Sequence, residues 1–328
     1  MRMLDLDIVA TRGSTVESRH VVHAAVVGSN GQLIAEAGSP DLIAHWRSCA
    51  KPLQVYPFVA GGHHDAFGWG EEELALACAS HGGEPEHVAI AAGMLRSIGL
   101  EEGDLACGAH EPLTGRGSRL LRELGRHPGR LHNNCSGKHS AMLASARAHG
   151  WATLGYELPL HPVQLVIRQS LSRWTGVDTG SLDIATDGCG VPVFILSLRQ
   201  MATAYARLAL AARSDAAAAR ILDAMAQHPF LVGGTDRFDT LLMEETGGTV
   251  VAKVGAEGVH TLLLRERAIG LAVKVADGNP RAQYPAVLRL LQHLDALPAA
   301  LPARLQDLLV IPVRDTRGDV VGEIRPAA

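Results

Sequence analysis

The stretch GGTVVAKVGAEGVHTLLLRERAIGLAVKVADGN, residues 247–279, decides the fold. Its three short β-rich runs are separated by glycine and charged residues, a pattern typical of an antiparallel meander. Near the N-terminus, residues 19–38 contain two β-rich runs around the glycines and asparagine of residues 28–31, which predicts a hairpin. The chain also ends in a β-rich pair around Arg317-Gly318. Strands are therefore expected at both ends of the chain.

The residues between these ends have mostly helical spacing. A helix is predicted to begin near Ser48 and to end before a GGHHDAFGWG loop. Further helices are predicted at 71–78, 84–99, from about 135 or 136 to 150, 160–175, 193–213, 215–228 and 280–295. This order predicts an α+β fold, with an antiparallel sheet flanked by helices and a helical insertion at about 50–230. Because the sequence has no internal repeat or Pro-rich linker, we expect one domain over residues 1–328.

The composition excludes several classes of protein. Apolar residues make up 47% of the chain, charged residues 20%, and the net charge is −4, which argues against disorder and against a basic nucleic-acid surface. Aromatic residues make up only 4%, too few for a base-stacking platform. We therefore expect a small-molecule partner and no nucleic acid.

Targeting signals and disulfides are not expected. The N-terminal MRMLDLDIVATRGS has acidic residues within its apolar stretch, unlike a secretory signal, and no segment approaches the roughly 20 apolar residues of a membrane helix. We expect a soluble, cytoplasmic protein with no membrane partner. The five cysteines are odd in number and widely spaced, which argues against a disulfide framework: Cys49, Cys78, Cys107, Cys135 and Cys189.

The segment HWRSCAKPLQ, residues 45–54, places Ser48 and Lys51 three residues apart. If Ser48 begins a helix, the amine of Lys51 lies on the same face and within reach of the serine hydroxyl. A lysine activates a serine only where burial or nearby positive charge, such as that of Arg47, favours the neutral amine. A solvated helix face has the same spacing, so the pattern alone leaves both readings open.

Two further segments suggest acyl-transfer chemistry. In CASHGGE, residues 78–84, Ser80 precedes two glycines, which indicates either a loop that approaches a ligand or a helix terminator. In KVGAEGVH, Lys253 precedes a glycine on a predicted strand. Serine acyl-enzymes of the β-lactamase and penicillin-binding class have S-x-x-K early and K-[ST]-G late. The order is the same here, but Val254 replaces the hydroxyl residue, so the similarity is to the arrangement and not to β-lactam recognition.

The segments NNCSGKHS, residues 133–140, and TDGCG, residues 186–190, suggest a metal site. The first fails as a P-loop, because it has histidines where the motif needs glycine and Ser or Thr. Cys135 is predicted at a helix N-terminus, where its thiolate would be stabilised, with Lys138 one turn later. Cys189 is predicted in a tight turn. Two thiolates and a third donor suit zinc.

Two other interpretations of these segments remain open. The cysteines fit a buried thiol pair equally well. Alternatively, Cys135 and His139 form a thiol nucleophile and its base.

The motifs RSCAKP, CASHGGE, NNCSGKHSAML, TDGCGVP, KVGAEGV and VKVADGN together resemble the Rhizobium-type (class 3) L-asparaginases, the asparaginase II family. The resemblance runs in order from about residue 8 to residue 325. It implies a fold like that of the serine β-lactamase and glutaminase class, hydrolysis of the side-chain amide of L-asparagine to aspartate and ammonia, and a homodimer.

The resemblance also implies two Ser–Lys tandems that meet in space, Ser48 with Lys51 and Ser80 with Lys253. Lys274, in VKVADG, is an alternative for the second lysine, but Lys253 matches the K-x-GA run. We hypothesise that Ser48 attacks the amide carbon to form an acyl-enzyme with Lys51 as base. Ser80 and Lys253 would then pass the proton to the leaving ammonia and help to activate water.

The remaining implied residues hold a metal or line the substrate pocket. The metal, usually zinc, is close to the substrate and does not activate the nucleophile; its implied ligands are Cys135, Lys138 and Cys189. The implied pocket residues are Arg47, His139 and Asp187. Three alternatives stay open: a glutaminase or other serine amidase on the same scaffold, a zinc-binding protein without turnover, and a thiol hydrolase that uses Cys135.

Overall fold

The β-rich runs at both ends of the chain pair into one sheet in the computed structural model, which describes residues 1–298 and 300–327. The strands are β1 (Arg2–Met3), β2 (Ile8–Arg12), β3 (Thr15–His20), β4 (Val22–Gly28), β5 (Leu33–Ala37), β6 (Ile43–His45), β7 (Asp183–Thr186), β8 (Pro192–Ser197), β9 (Val250–Val254), β10 (Val259–Leu264), β11 (Ile269–Val275), β12 (Ile311–Arg314) and β13 (Val320–Pro326). The sheet order is β1-β5-β4-β11-β10-β9, and only the β1–β5 pair within it is parallel.

The meander at β9–β11 is the core of this sheet. Every residue of β10 is buried, as expected for a strand that is covered on both faces. Gly270 in β11 marks the close approach of a helix, because a Cβ there would collide with the carbonyl of Ala202. A second antiparallel sheet has the order β12-β13-β2-β3, which confirms the predicted C-terminal hairpin.

The helices are α1 (Lys51–Ala60), α2 (His63–Ala66), α3 (Glu71–Ala77), α4 (Pro85–Ser97), α5 (Gly115–Glu123), α6 (Ser136–Ala148), α7 (Pro162–Thr175), α8 (Leu198–Ala211), α9 (Ala216–Gln227), α10 (Pro229–Val232), α11 (Phe238–Glu245), α12 (Pro280–His293) and α13 (Ala303–Leu309). Within residues 1–298 and 300–327, every helix is too short or too polar to cross a membrane.

The chain divides into two compact units. The first comprises Met1–Cys49, Leu196–Leu210 and Glu245–Ala328, and contains both sheets described above. The second comprises Ala50–Ile195 and Ala211–Glu244 and is mainly helical. The single catalytic domain inferred from the sequence stays a prediction.

Close packing in the helical unit depends on a small residue in α6. Helix α3 packs against α4, α6 and α9, and α1 packs against α6, α7 and α9. A Cβ at Gly137 would collide with the carbonyl of Leu76 in α3, so only glycine allows α6 to approach so closely. The residues of α6 from Ser136 to Ala146 are all buried as a result.

The structure confirms the α+β class, the hairpin of β4 and β5, the meander and most helices. The helix predicted over 193–213 is wrong in its first part. Residues Pro192–Ser197 form β8, which pairs antiparallel with β7, and the helix begins only at Leu198. Short apolar runs such as VPVFILS fit a helix and a strand equally well by spacing. The GGHHDAFGWG segment also contains the short helix α2.

Candidate active site

The amine of Lys51 is buried next to Ser80. Lys51 is the first residue of α1, and only 1% of it is exposed. Its Nζ lies 3.0 Å from Ser80 Oγ, 2.5 Å from the carbonyl oxygen of Ala79 and 3.4 Å from that of Asn134. The two carbonyls can only accept, so two of the amine hydrogens point to them. The third substituent position on the amine nitrogen, which holds a hydrogen or a lone pair, faces the hydroxyl of Ser80.

This third position can carry either a hydrogen or a lone pair. As an ammonium, Lys51 donates to Ser80 Oγ. As a neutral amine, it keeps both bonds to the carbonyls and its lone pair accepts the hydroxyl hydrogen of Ser80. The geometry therefore suits a proton transfer between the two side chains without any other rearrangement. The S-x-x-K spacing pairs Lys51 with Ser48, whereas this contact joins Lys51 to the serine of the other implied tandem.

The backbone around Ser80 is fixed on both sides. Ser80 N donates to the carbonyl of Val232 at 3.0 Å, and the carbonyl of Gly82 accepts from Leu113 N at 2.9 Å. Gly83 has φ +72°, and a Cβ there would lie 2.9 Å from the carbonyl of His132. Helix α3 ends at Ala77, before these glycines, so they form a loop of close backbone approach and do not terminate the helix.

A buried carboxylate that sequence analysis missed closes this loop. Glu84 accepts from the backbone N and Oγ1 of Thr235 at 2.7 and 2.8 Å, and from Arg116 Nη1 at 2.5 Å. Burial by itself would raise the pKa of Glu84, but the bonds from Arg116 and Thr235 outweigh it and lower the pKa. Arg116 also holds Glu86 through two bonds. The Ser80 loop is thereby tied to the segment before α11.

Ser48 lies in the first unit, in a 3-10 turn formed by Arg47–Ala50. Arg47 has φ +52°, an uncommon conformation for a residue with a Cβ. The next residue anchors the turn: Cys49 Sγ donates to the carbonyl of Lys253 at 3.0 Å, and its carbonyl accepts from Tyr205 OH at 2.7 Å. The turn that carries Ser48 therefore packs directly on the strand that carries Lys253.

The two lysines considered for the second tandem differ in their environment. Lys253 in β9 is fully buried, and its Nζ donates to the carbonyl of Val254 at 2.9 Å. Lys274 in β11 is half-buried, and its Nζ contacts the carbonyls of Val275 and Ala276, which follow it in the chain. Burial is the main cause that lowers the pKa of Lys274. Lys253 has the more protected position.

Cys135, Lys138 and Cys189 converge in the helical unit. Lys138 Nζ lies 3.0 Å from Cys189 Sγ, and Cys135 Sγ donates to Asn134 Oδ1 at 3.2 Å. The neighbouring Cys135 thiol, followed by the charge of Lys138, lowers the pKa of Cys189 despite its burial. Interaction with Cys189, followed by burial, raises the pKa of Cys135. The directions of these two shifts favour Cys189 over Cys135 as the thiolate, and the roles of both residues stay predictions.

His139 is held in one tautomer by a tyrosine that the sequence did not single out. Tyr156 OH accepts from Ala106 N at 2.9 Å and donates to His139 Nδ1 at 2.6 Å. The hydrogen of His139 is therefore on Nε2, which has no hydrogen-bond partner among the described residues. Burial, followed by the charge of Lys138, lowers the pKa of His139 to about 3.

These shifts do not favour a thiol nucleophile. A Cys–His pair needs a proton to pass from sulfur to imidazole. Here the pKa of Cys135 is raised and that of His139 is lowered, so the proton stays on the sulfur.

Asp187 begins the tight turn that carries Cys189. Its backbone N donates to the carbonyl of Val191 at 2.9 Å, and its Oδ1 accepts from Gly188 N at 2.8 Å. Gly190, with φ +92°, allows the turn to close. The second carboxylate oxygen of Asp187 lies 4.0 Å from Cys189 Sγ. The structure thus brings Asp187 close to the cysteine and lysine cluster.

Comparison with known proteins agrees with these motifs. Residues 8–326 match the L-asparaginase II family. The chain belongs to this family. Membership supports an amidohydrolase as the general class of activity. No curated protein matches the chain.

The chain is also similar to a solved structure of a β-lactamase from Mycobacterium bovis. The two are 12% identical, and the match covers 84% of this chain and 96% of the other, with a TM-score of 0.35.

The donors around Cys189 fit the zinc ion that the family resemblance implies. They comprise the sulfurs of Cys135 and Cys189 and the amine of Lys138, which lies 3.0 Å from Cys189 Sγ. Zinc prefers thiolate and nitrogen ligands in tetrahedral sites. No group of three or more His, Cys, Asp or Glu within residues 1–298 and 300–327 could hold a metal ion, so a site here depends on the lysine as third donor.

Acidification is expected to destabilise the helical unit. Burial is the main cause that lowers the pKa of both His81 and His87. In the unfolded chain these histidines titrate near 6.5, so below that pH the unfolded state binds more protons. The free energy of unfolding should therefore fall as the pH drops below about 6.5.

Urea unfolding between pH 7.5 and pH 5 measures this effect. The His87→Asn variant, which removes one of the two groups, should show a smaller change over the same pH range. A free energy of unfolding that is constant or rises on acidification would contradict the assignment of neutral histidines.

Proposed function

We propose that the protein hydrolyses the side-chain amide of L-asparagine to L-aspartate and ammonia through Ser–Lys chemistry. Membership of the L-asparaginase II family supports the amide substrate. The observation that carries the Ser–Lys part is the contact of Lys51 Nζ with Ser80 Oγ at 3.0 Å, in a buried site where the other two amine hydrogens are bound to carbonyls.

In the proposed first half-reaction, Ser48 Oγ attacks the amide carbon, and Lys51 accepts the hydroxyl proton once its amine leaves the long 3.4 Å contact with the carbonyl of Asn134. The C–O bond of an acyl-enzyme forms and the C–N bond breaks. The proton passes from Lys51 through Ser80 Oγ to the departing nitrogen, which leaves as ammonia. Lys51 is suited to this role because its contact with Ser80 does not depend on which of the two groups holds the proton.

In the second half-reaction, water replaces ammonia. Ser80 and Lys51 take a proton from the water as it attacks the ester carbon, and Ser48 regains a proton as the ester C–O bond breaks. Lys253 is assigned as the second lysine of the centre, because it is the fully buried one of the two considered.

Three further side chains are proposed to bind the substrate. The guanidinium of Arg47 suits the α-carboxylate of an amino acid, and the carboxylate of Asp187 suits its α-ammonium group. The Nε2–H of His139 is a buried donor that a ligand oxygen can satisfy. A neutral His139, as its lowered pKa requires, donates this hydrogen without adding a charge.

Zinc is proposed to bind at Cys135, Lys138 and Cys189, where it would supply a fixed positive charge close to the substrate groups. Homodimer formation and a cytoplasmic location stay predictions from the sequence.

Replacing Cys189 by alanine should abolish zinc binding, because the variant loses the thiolate that the other two donors face. The measurement is zinc content by atomic emission after dialysis against zinc. Cys78→Ala, which removes another buried cysteine of the helical unit, should keep the wild-type zinc content. If the Cys189→Ala and wild-type proteins had the same zinc content, the metal would bind at a different site.

The function is tested by ammonia release from L-asparagine and L-glutamine, each with and without a chelator. We expect release from L-asparagine in both conditions, since the proposed base is a lysine. Preference for glutamine would favour a glutaminase, and the difference of one methylene group is worth about 1–3 kcal/mol in a packed pocket. Zinc binding without release from either amide would favour a non-catalytic zinc protein.

A further inference from the structure

Two buried histidines after Ser80 make the same pair of hydrogen bonds. His81 Nδ1 accepts from Gly83 N at 3.2 Å, and His87 Nδ1 accepts from Glu84 N at 3.1 Å. A backbone N–H can only donate, so both Nδ1 atoms carry lone pairs. Two successive backbone donors of the Ser80 loop are thus bound by imidazole rings.

The other ring nitrogens are donors. His87 Nε2 lies 3.0 Å from the carbonyl of Phe230, which can only accept. His81 Nε2 lies 2.9 Å from Ser136 Oγ, and that hydroxyl gives its own hydrogen to the carbonyl of Leu131 at 3.0 Å. Ser136 must therefore accept from His81. Every bond is satisfied only when both histidines are neutral and carry their hydrogen on Nε2.

The rings also stack on one another. The centroids of His81 and His87 are 5.1 Å apart with an angle of 15° between the planes, and His87 stacks on Phe230 at 4.8 Å and 23°. Both histidines are completely buried. The stack gives the loop a rigid apolar backing, while the ring edges bind its backbone.

His81 is the residue directly after Ser80, and its own N–H donates to the carbonyl of Asn134 at 3.3 Å. That carbonyl is also an acceptor for Lys51 Nζ. The ring of His81 bonds to Ser136 at the start of α6, two residues after Asn134. The imidazole therefore joins the loop of Ser80 to the start of α6, and the backbone N–H of the same residue shares the Asn134 carbonyl with Lys51.

We propose that His81 is a positioning residue that holds Ser80 Oγ against Lys51 Nζ, through a single neutral tautomer whose Nδ1 closes the loop onto Gly83 N–H. This inference rests on the proposed Ser–Lys chemistry and adds a residue to it. His81 touches neither substrate nor the reacting atoms. It acts by fixing the position of the Ser80 hydroxyl. A displacement of about 1 Å in a reacting group lowers the rate about 10²-fold.

Two substitutions of His81 test the hydrogen bonds of its two ring nitrogens separately. In His81→Asn the side-chain oxygen can still accept from the N–H two residues later, as in an Asx turn. In His81→Gln the amide can still donate to Ser136, but the acceptor for Gly83 N–H is lost. We expect His81→Asn to keep most of the wild-type kcat for L-asparagine. We expect His81→Gln and His81→Ala to lower kcat about 10²-fold with KM unchanged.

A loss of stability alone would not lower kcat in His81→Gln and His81→Ala while sparing it in His81→Asn. His64→Gln is the matched control, because His64 is a buried histidine of the same unit whose ring nitrogens have no hydrogen-bond partner among the described residues. It should lower Tm without lowering kcat at a temperature where the protein is folded. Full kcat in both His81→Gln and His81→Ala would overturn the proposal.

A crystal structure of the His81→Gln variant gives a test that does not depend on turnover. The proposal expects Ser80 Oγ to leave hydrogen-bond distance of Lys51 Nζ, while the wild type keeps the pair. A variant in which the pair is unchanged would overturn the positioning role. If the wild type released no ammonia from L-asparagine, the proposed function would fail, and this comparison would still decide whether His81 positions Ser80.

Discussion

Lys51→Met is expected to lower kcat for L-asparagine by about 10³–10⁴-fold, the largest effect of any single change in the chain. Methionine fills the same volume but cannot accept or give a proton, so Ser48 and Ser80 both lose their proposed proton partner. Steady-state ammonia release at saturating L-asparagine measures the loss.

The fold should survive this change. The carbonyls of Ala79 and Asn134 lose a donor, which costs about 1–3 kcal/mol for each group left unsatisfied. The matched control is Lys274→Met, which removes the half-buried lysine of β11 and should leave kcat unchanged. Thermal unfolding of both variants separates lost chemistry from lost structure.

The two serines are expected to act as one unit. Ser48→Ala and Ser80→Ala should each lower kcat by about 10³-fold or more, and the double variant should be little worse than either single variant. The reason is that the proposed proton path runs from Ser48 through Lys51 to Ser80, so removal of one member stops the transfer. Independent roles would instead give losses that multiply.

Intact-mass spectrometry after mixing with L-asparagine distinguishes the roles of these serines. If Ser48 is the nucleophile, the Ser80→Ala variant can still carry an acyl group, whereas Ser48→Ala cannot. An acyl adduct on Ser48→Ala would transfer the nucleophilic role to the other serine. Near-normal turnover in Ser48→Ala would contradict the proposed first half-reaction.

The features that sequence analysis predicted are the ones with a local signal. The meander over β9–β11 has short β-rich runs separated by glycine, and the hairpin of β4 and β5 has a turn of suitable residues, so both could be recognised within about 30 residues of chain. The strand β8 was missed because its apolar run has no spacing that distinguishes a strand from a helix.

Contacts between distant residues had no such signal. The S-x-x-K spacing directed attention to Ser48 as the partner of Lys51, yet the hydrogen bond goes to Ser80, 29 positions away. The bonds of Glu84 to Arg116 and Thr235 span 32 and 151 positions. Only the folded chain shows that these groups meet, and the same is true of Tyr156 and His139.

The cysteine cluster shows how the fold decides between chemically equal candidates. A helix N-terminus favours a thiolate at Cys135, and the sequence offered no reason to prefer Cys189. In the structure Lys138 Nζ lies 3.0 Å from Cys189 Sγ, whereas Cys135 Sγ donates to Asn134 Oδ1. The contact that distinguishes Cys189 joins residues 51 positions apart, so the local sequence does not show it.

The most direct test of the account is the simultaneous measurement of ammonia and L-aspartate formed from L-asparagine by the wild type and by Lys51→Met at equal concentrations. The account predicts equal amounts of the two products from the wild type, and a rate about 10³–10⁴-fold lower from the folded variant. Wild-type protein that forms neither product, or a Lys51→Met variant that forms both at the wild-type rate, would contradict it.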